Sequence, residues 1–434
     1  MNMQDIIYKK RDGGELSGDE IEFFVKGYTE GSIPDYQASA FLMAIFFNKL
    51  SREETYMLTA AMKNSGDVVD LSAIRGIKVD KHSTGGVGDK TTLIVAPIAA
   101  ACGIPVAKMS GRGLGFTGGT VDKMESIPGF KTSLDKSEFI ELVNAHGISV
   151  IGQTTRIAPA DKKIYALRDV TATVENLSLI TSSVMSKKLA SGSDAIVLDV
   201  KCGNGAFMES FDEACALGQL MVDIGNNDGK KTIAVITDMN QPLGRAVGNS
   251  VEVIEAIETL KGKGPSDITE LSVKLAGIMV YAGGKAKTME EGCVLAEKAL
   301  RDGSALEKFR AFVRGQGGDP EIINDYTIFP QATLTEDIIN SVEGYVTGID
   351  ARTVGFASQR SGAGRMAKDD PIDLAAGVII HKKVGDKVSP GDVLATVYGS
   401  VAEKVGTGAA EMERAFRTGT EAPKKEELIK KIIQ

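Results

Sequence analysis

The chain has 434 residues, with 50 basic and 58 acidic side chains and a formal net charge of −8 at pH 7. A net acidic chain is poorly suited to bind a polyanion, which argues against nucleic acid as a general partner. The four cysteines show no CxxC pair or zinc-type spacing, so we expect free thiols in a reducing cytoplasm. We find neither an apolar signal-peptide core nor an apolar run of membrane length, and we therefore expect no membrane partner.

The first segment, to about Ser65, is predicted to be helical. Ser17 with Glu20, and Ser51 with Glu54, have the spacing of capping boxes. Between them, residues 41–46 are apolar on more than one helical face, which predicts burial against other helices or at a subunit interface.

Two similar patterns follow, in which a short apolar run ends in lysine and hydroxyl residues and then glycines. The runs are residues 76–79 and 104–107. The first cluster contains Lys81, Ser83 and Thr84, and the second contains Lys108, Ser110, Thr117 and Thr120. A helix is predicted from Thr91 to Cys102, so the first loop precedes a helix N-terminus, which favours anions. The two loops therefore predict a phosphate site, although turn formation and helix capping would also explain the hydroxyls.

Two other glycine-rich motifs fit less well. A Walker A loop requires glycine before the lysine, but Asp89 precedes Lys90. The string from Gly113 to Gly118 matches the dinucleotide pattern, yet residues 128–129 (Pro-Gly) interrupt the segment before an acidic residue at Asp135. A nicotinamide cofactor is therefore disfavoured.

The middle of the chain alternates between predicted strands and helices. The strands are residues 148–151, 194–200 and 232–237, and the helices are residues 137–146, a stretch after Ala158, residues 182–190, residues 251–260 and two more between Asp267 and Phe312. Such alternation predicts a mostly parallel sheet with helices on both faces.

Residues 377–397 have a different pattern of short strands with Gly-Asp and Pro-Gly turns. They resemble the hammerhead folds that hold a lipoyl or biotinyl lysine, but no Met-Lys-Met sequence is present. We therefore expect a structural α+β module.

Longer motifs resemble one enzyme family over essentially the whole chain. They are residues 81–89 (KHSTGGVGD), 110–125 (SGRGLGFTGGTVDKME), 165–173 (YALRDVTAT), 185–189 (MSKKL) and 199–208 (DVKCGNGAFM). Together they closely resemble the thymidine and pyrimidine-nucleoside phosphorylases. The resemblance implies a small helical domain (residues 1–66 and 160–192), a large mostly parallel α/β domain (67–159 and 193–333) and a C-terminal α+β module (334–434). It also implies a homodimer formed through the N-terminal helices.

The resemblance further implies reversible phosphorolysis of uridine, thymidine or deoxyuridine to the free base and (deoxy)ribose 1-phosphate. It assigns a catalytic role to His82, phosphate binding to Lys81, Ser83, Thr92, Lys108, Ser110 and Thr120, and base binding to Arg168, Ser183 and Lys187. Without it, His82 would be taken for a structural hydrogen-bonding residue, and Arg168 and Lys187 for a solvated helix face. Ser183 and Lys187 are four residues apart and should share one helical face.

The position of these groups in the chain suggests a cleft that closes between two domains. The hinges would lie near residues 66–72, 155–161 and 191–193.

Three positions bear on how closely the chain follows the family. Phe116 stands where relatives often have histidine, which is tolerable if the side chain only packs. Lys108 matches relatives that accept uridine as well as thymidine, and it predicts tolerance of ribose. No organic cofactor is expected, but some relatives hold a potassium ion at the positions Gly88, Lys90, Leu243, Ala246 and Glu255. The Lys90 carbonyl could serve such an ion, or the Lys90 ammonium could pair with Glu255 and replace it.

Other functions remain open from the sequence. They are a thymidine-specific phosphorylase, an anthranilate-type phosphoribosyltransferase that would need metal-binding carboxylates, and a non-catalytic nucleoside or phosphate sensor.

Overall fold

The structure, a computed structural model, describes residues 1–113, 115–116, 118–154, 156–367 and 370–434. Its α-helices are α1 (Met3–Arg11), α2 (Gly18–Glu30), α3 (Asp35–Asn48), α4 (Arg52–Lys63), α5 (Thr91–Ala101), α6 (Thr120–Glu125), α7 (Lys136–His146), α8 (Pro159–Val170), α9 (Leu177–Ala190), α10 (Phe211–Asn227), α11 (Ser250–Leu260), α12 (Ser266–Ala282), α13 (Met289–Arg301), α14 (Ser304–Gly315), α15 (Ala351–Ser358) and α16 (Ala402–Met412). Its strands are β1 (Val79–Ser83), β2 (Val106–Ser110), β3 (Ile148–Gly152), β4 (Ala195–Cys202), β5 (Lys231–Asp238), β6 (Ala246–Gly248), β7 (Leu334–Ile339), β8 (Gly344–Ile349), β9 (Gly377–Ile380), β10 (Lys387–Val388), β11 (Val393–Gly399), β12 (Phe416–Gly419) and β13 (Ile429–Ile433). Short 3₁₀ helices cover Pro320–Ile323 and Tyr326–Ile328, and a π-helical turn covers Gln359–Ala363.

The chain folds into two compact units. The first contains Met1–Ala73, Gln153–Ile196 and Gln219–Thr232, and the second contains Ile74–Gly152, Val197–Gly218 and Ile233–Gln434.

The first unit is built around the helices α1–α4, α8 and α9. Both predicted capping boxes are present, at the starts of α2 and α4. The apolar side chains of α3 pack into the unit's core, where the rings of Phe24 and Phe41 lie 4.4 Å apart between centroids. Helix α3 therefore has the buried position that its sequence predicts.

A buried ion pair lies within this helical core. The Lys10 ammonium lies 2.8 and 3.0 Å from the two carboxylate oxygens of Glu54. The same carboxylate accepts hydrogen bonds from the backbone N–H groups of Leu16 and Ser51. Glu54 thus caps its own helix and ties it to the preceding segments.

The second unit contains the sheets. The strand order is β1-β4-β5-β13 in one sheet, and β2 pairs with β3 in parallel register. The C-terminal strands form two further sheets, in the orders β10-β8-β12 and β6-β9-β11-β7. β9 and β13 pair antiparallel with β6 and β5, so residues 334–434 are joined to the α/β core through two sheets.

Most predicted elements are present, with three differences. Residues 267–312 lie in three helices, α12 to α14, whereas two were predicted. Helix α9 begins at Leu177, five residues before the predicted start. Strands β1 and β2 extend through Ser83 and Ser110, so the lysine and the first hydroxyl residue of each cluster lie in the strand rather than after it.

No helix in the part of the chain that the structure describes is both long enough and apolar enough to span a membrane.

Replacing Glu54 by glutamine should destabilise the protein. The variant keeps the side-chain volume but leaves the buried Lys10 ammonium without a carboxylate, a change that costs about 3–5 kcal/mol in comparable sites. Urea unfolding at pH 7 measures the loss. Glu22→Gln on the exposed face of α2 is the control and should change the free energy of unfolding by less than about 0.5 kcal/mol.

The same pair predicts a pH dependence. Burial raises the pKa of Glu54, but the Lys10 ammonium and the two N–H donors outweigh it and hold the pKa below 4.5. The carboxylate therefore stabilises the fold above that pH, and this contribution is lost as the pH falls through the lowered pKa. Wild type should lose more stability than Glu54→Gln on acidification, and equal losses would contradict this interpretation.

Candidate active site

Strands β1 and β2 lie side by side in the second unit. The Val79 N–H donates to the Pro105 carbonyl at 3.3 Å. The Lys108 ammonium lies 2.5 Å from the Lys81 carbonyl and 3.3 Å from Asp80 Oδ1. The two predicted phosphate-binding segments are therefore neighbours.

The first segment runs from β1 through residues 84–90 into α5. Lys81 is buried, and its ammonium donates to Thr91 Oγ1 at 2.5 Å, in the first turn of α5. Thr92 follows and is largely buried. Ser83 ends the strand, and its hydroxyl accepts a hydrogen bond from the Gly85 N–H at 3.2 Å. The Ser83 hydroxyl thus forms a turn, and a phosphate role would be an additional one.

Carboxylates neutralise Lys81 in this segment and Lys201 in the neighbouring strand β4. Lys81 Nζ lies 3.4 Å from Asp199 Oδ2 and 3.8 Å from Asp89 Oδ1, and Lys201 Nζ lies 2.7 Å from Asp199 Oδ2. Burial raises the pKa of Asp89, but the ammonium groups of Lys81 and Lys201, with hydrogen bonds from Ser83 and Thr91, hold it well below its ordinary range.

Asp89, Asp199 and Lys201 were not predicted to be site residues. The sequence pattern around Asp199 and Lys201 could have identified these two residues. They are charged residues two positions apart in a strand that is otherwise apolar, and buried charges require partners.

The second segment is the turn between β2 and α6. Ser110 ends β2 and Thr120 begins α6. Asp122 accepts a hydrogen bond from the Gly113 N–H at 2.7 Å, and a Cβ at Gly119 would lie 2.0 Å from that same nitrogen. Only glycine fits at position 119, so the turn is tightly folded. Thr117 lies outside the described residues.

His82 lies in β1 between Lys81 and Ser83 and is half-buried. Because side chains alternate along a strand, His82 points to the opposite face from both neighbours.

The three predicted base-binding residues belong to the first unit. In α9, Lys187 Nζ lies 3.4 Å from Ser183 Oγ, so these residues share a face as the spacing predicts. The same ammonium donates to Asp161 Oδ2 at 2.6 Å. Asp161, on α8, is a further member of this group and was not predicted from the sequence.

Arg168 is buried rather than on a solvated helix face. Its guanidinium donates to the backbone carbonyls of Thr173, Val174 and Leu179 at 3.0, 2.6 and 3.1 Å. Burial lowers the pKa of Arg168 to about 10, against a smaller opposing effect of Asp161. The guanidinium therefore organises the α8–α9 connection.

The predicted potassium-binding residues are close together in the second unit. The Lys90 ammonium donates to Glu255 Oε2, the Ala246 carbonyl and the Leu243 carbonyl at 2.5, 2.7 and 3.2 Å. The carbonyl of Lys90 accepts the Leu93 N–H and that of Gly88 accepts the Lys90 N–H, both at 2.9 Å. These residues do not fit a potassium ion, because an ammonium already contacts the oxygens that would bind it.

Phe116 packs in an aromatic group. Its ring centroid lies 5.4 Å from that of Phe356 and 6.5 Å from that of Phe207. The side chain acts as a packing group, as expected for a tolerable replacement of histidine.

Three family models match the chain. Residues 4–66 match the helical bundle domain of a glycosyl transferase family, and residues 75–306 match the a/b domain of the same family. Residues 345–418 match the pyrimidine nucleoside phosphorylase C-terminal domain.

Curated relatives agree with these models. The chain is 57% identical to a pyrimidine-nucleoside phosphorylase of Staphylococcus haemolyticus and 56% identical to one of Geobacillus stearothermophilus, in each case over 92% of both chains. The solved structure of anthranilate phosphoribosyltransferase from Thermus thermophilus shares the fold, with a TM-score of 0.58 and 19% identity over 72% of this chain and 99% of that one. The chain therefore belongs to the pyrimidine-nucleoside phosphorylase family, whose members are pentosyltransferase enzymes.

Proposed function

We propose that this protein catalyses the reversible phosphorolysis of pyrimidine nucleosides to the free base and (deoxy)ribose 1-phosphate. The observation that supports it best is the pair of adjacent strands whose buried lysines, Lys81 and Lys108, lie beside glycine-rich turns. One of these turns leads into the N-terminus of α5. Family membership supplies the substrate class.

Phosphate would be bound by dipoles and hydroxyl groups more than by net charge. The ammonium groups of Lys81, Lys108 and Lys201 already contact the carboxylates of Asp80, Asp89 and Asp199. The hydroxyls of Ser83, Thr92, Ser110 and Thr120 then supply donors, and the dipole of α5 favours the anion at the N-terminus of that helix.

The reaction breaks the C1′–N1 bond as phosphate attacks C1′, and negative charge develops on the departing base. We propose that His82 stabilises this charge or donates a proton at O2. Arg168 and Lys187 would interact with O4 and Ser183 with N3. Fixed donors of this kind act where charge develops, and no covalent nucleophile is needed.

We also propose that the protein forms a homodimer through its N-terminal helices. Tyr36 and Phe47 of α3 are 75% and 74% exposed. They are eleven residues apart, which places them on one face of the helix. Exposed aromatic side chains on a shared face are typical of a contact surface. A cytoplasmic location stays a prediction.

The first test is base release from uridine and thymidine, followed by ultraviolet absorbance with phosphate or with sulfate at equal ionic strength. Release that requires phosphate, with formation of the sugar 1-phosphate, is expected. Release without phosphate would indicate a hydrolase. Activity that instead requires pyrophosphate and magnesium would indicate a phosphoribosyltransferase, and binding without turnover would indicate a sensor.

Substitutions in the proposed phosphate-binding group and in the proposed base-binding group should raise KM for different substrates. Removing one hydrogen bond to a charged group costs about 1.5–3 kcal/mol, so Ser83→Ala should raise KM for phosphate about tenfold or more. Ser183→Ala should raise KM for the nucleoside and leave KM for phosphate unchanged. Steady-state kinetics with each substrate varied in turn measures both.

Matched serines serve as controls. Ser126 and Ser186 donate to backbone carbonyls of the residues three positions earlier. Their alanine variants should leave both KM values near those of wild type. If Ser83→Ala and Ser183→Ala raised the two KM values equally, the assignment of separate roles would be wrong.

Lys108 should set the tolerance of ribose. If its ammonium binds the 2′-hydroxyl, Lys108→Met should lower kcat/KM for uridine relative to thymidine by about tenfold. Asp80→Asn is the matched control, because it weakens the same ion pair and keeps the ammonium. If the ratio of kcat/KM for uridine to that for thymidine changed equally in both variants, the preference would depend on the ion pair, and the proposal would be contradicted.

A further inference from the structure

Lys90 is a buried cation with a complete set of acceptors. The residue is 1% exposed and immediately precedes α5. An ammonium group has three N–H donors. Glu255 Oε2 and the carbonyls of Ala246 and Leu243 accept them. The three oxygens come from α11 and from the segment that follows β5, so the side chain connects three separate parts of the second unit.

The acceptors are themselves held in place. The Arg245 and Ala246 N–H groups donate to the Glu255 carboxylate at 2.8 and 3.1 Å, and the Leu243 N–H donates to the Val87 carbonyl at 3.0 Å. Gly244 has a φ of +69°, and a Cβ there would lie 2.3 Å from Glu255 Oε2. We name the two carbonyls of Leu243 and Ala246 and the carboxylate of Glu255 the cation cage.

The cage has the chemistry of a monovalent cation site. Backbone carbonyls replace the hydration shell of potassium in proteins, and a carboxylate adds a negative charge. The ammonium of Lys90 occupies this position as part of the polypeptide. A free cation would contact the same oxygens only if the side chain at position 90 were shorter.

We propose that Lys90 is a built-in monovalent cation, which replaces potassium in this protein and positions the N-terminus of α5. Because Lys90 flanks Thr91 and Thr92, its anchoring sets the location of the first helical turn. Lys90 itself touches no proposed substrate group, so it is a positioning residue. This second role rests on the proposed phosphorolysis, whereas the replacement of potassium does not.

The first experiment is thermal unfolding of the protein dialysed into choline, sodium or potassium chloride at equal ionic strength. Wild type should have the same Tm in sodium and potassium. Lys90→Ala should have a lower Tm in choline and sodium, and potassium should raise it, because the shortened side chain opens the cage. Lys90→Met keeps the aliphatic stem, so its Tm should be low in all three salts.

Lys10→Ala is the matched control, because Lys10 forms a buried ion pair with Glu54 without a carbonyl cage. Its Tm should fall and should not respond to potassium. A potassium-specific rise in the Tm of wild type would overturn the proposal. The proposal would also be overturned if Lys90→Ala had the Tm of wild type in the absence of potassium. It would likewise be overturned if potassium did not raise the Tm of Lys90→Ala, or if this variant did not fold in any of the three salts.

The positioning role is tested by activity. In choline, kcat/KM for phosphate should fall by about tenfold or more in Lys90→Ala, a loss comparable to that on removing an outer-shell partner of a metal site. Potassium should restore it, whereas a merely structural loss would not be reversed by one ion. If wild type showed no phosphate-dependent base release, the proposed function would fail, and the unfolding experiment would still decide whether Lys90 replaces potassium.

Discussion

The protein depends on pairing lysine ammonium groups that it buries. Removing an ammonium from water is tolerated only where a carboxylate or several carbonyl oxygens accept its hydrogen bonds. Lys10 meets this requirement in the helical unit through Glu54. In the second unit Lys90 and Lys123 do so through Glu255 and Glu252, which lie on the same helix, α11. Each pair fixes the distance between segments that are far apart in the chain.

Helix α11 thereby supports the loop in front of α5. Lys123 contacts Glu252 at 2.7 Å and donates to the Asp89 carbonyl at 2.8 Å, while Lys90 contacts Glu255. Since Glu252 and Glu255 are three residues apart, they lie on adjacent positions of one helical face. The loop is held at two successive residues, 89 and 90. Such support restrains the donors at the start of α5 before any substrate arrives, which is the preorganisation that electrostatic catalysis requires.

Features that arise from neighbours in sequence were predictable. The capping boxes at Ser17 and Ser51 and the shared face of Ser183 and Lys187 follow from fixed helical spacing, and the structure contains them. The local pattern identified the two lysine and hydroxyl clusters, but it did not show that their first residues would lie inside strands. Strand length is set by pairing with other strands, which the residues of one segment do not encode.

Long-range partners were harder to predict. Lys90 and Glu255 are 165 positions apart, and their pairing was weighed only because the family suggested an ion there. Arg168 was assigned to base binding by the family resemblance, whereas its residue type alone indicates a solvated surface, since arginine is mostly exposed. Its guanidinium donates to the carbonyls of Thr173 and Val174 in the α8–α9 connection and to that of Leu179 in α9, and these acceptors come together only when this part of the chain has folded.

The matched charges around β1 and β2 have a kinetic consequence. Ammonium and carboxylate groups within a few ångströms of each other cancel beyond a Debye length, and the whole chain has a net charge of −8. A phosphate ion far from the protein is therefore not steered toward these strands by a long-range attractive field. Capture depends on short-range contact with hydroxyl donors, so the encounter should gain no electrostatic acceleration and added salt should not slow it.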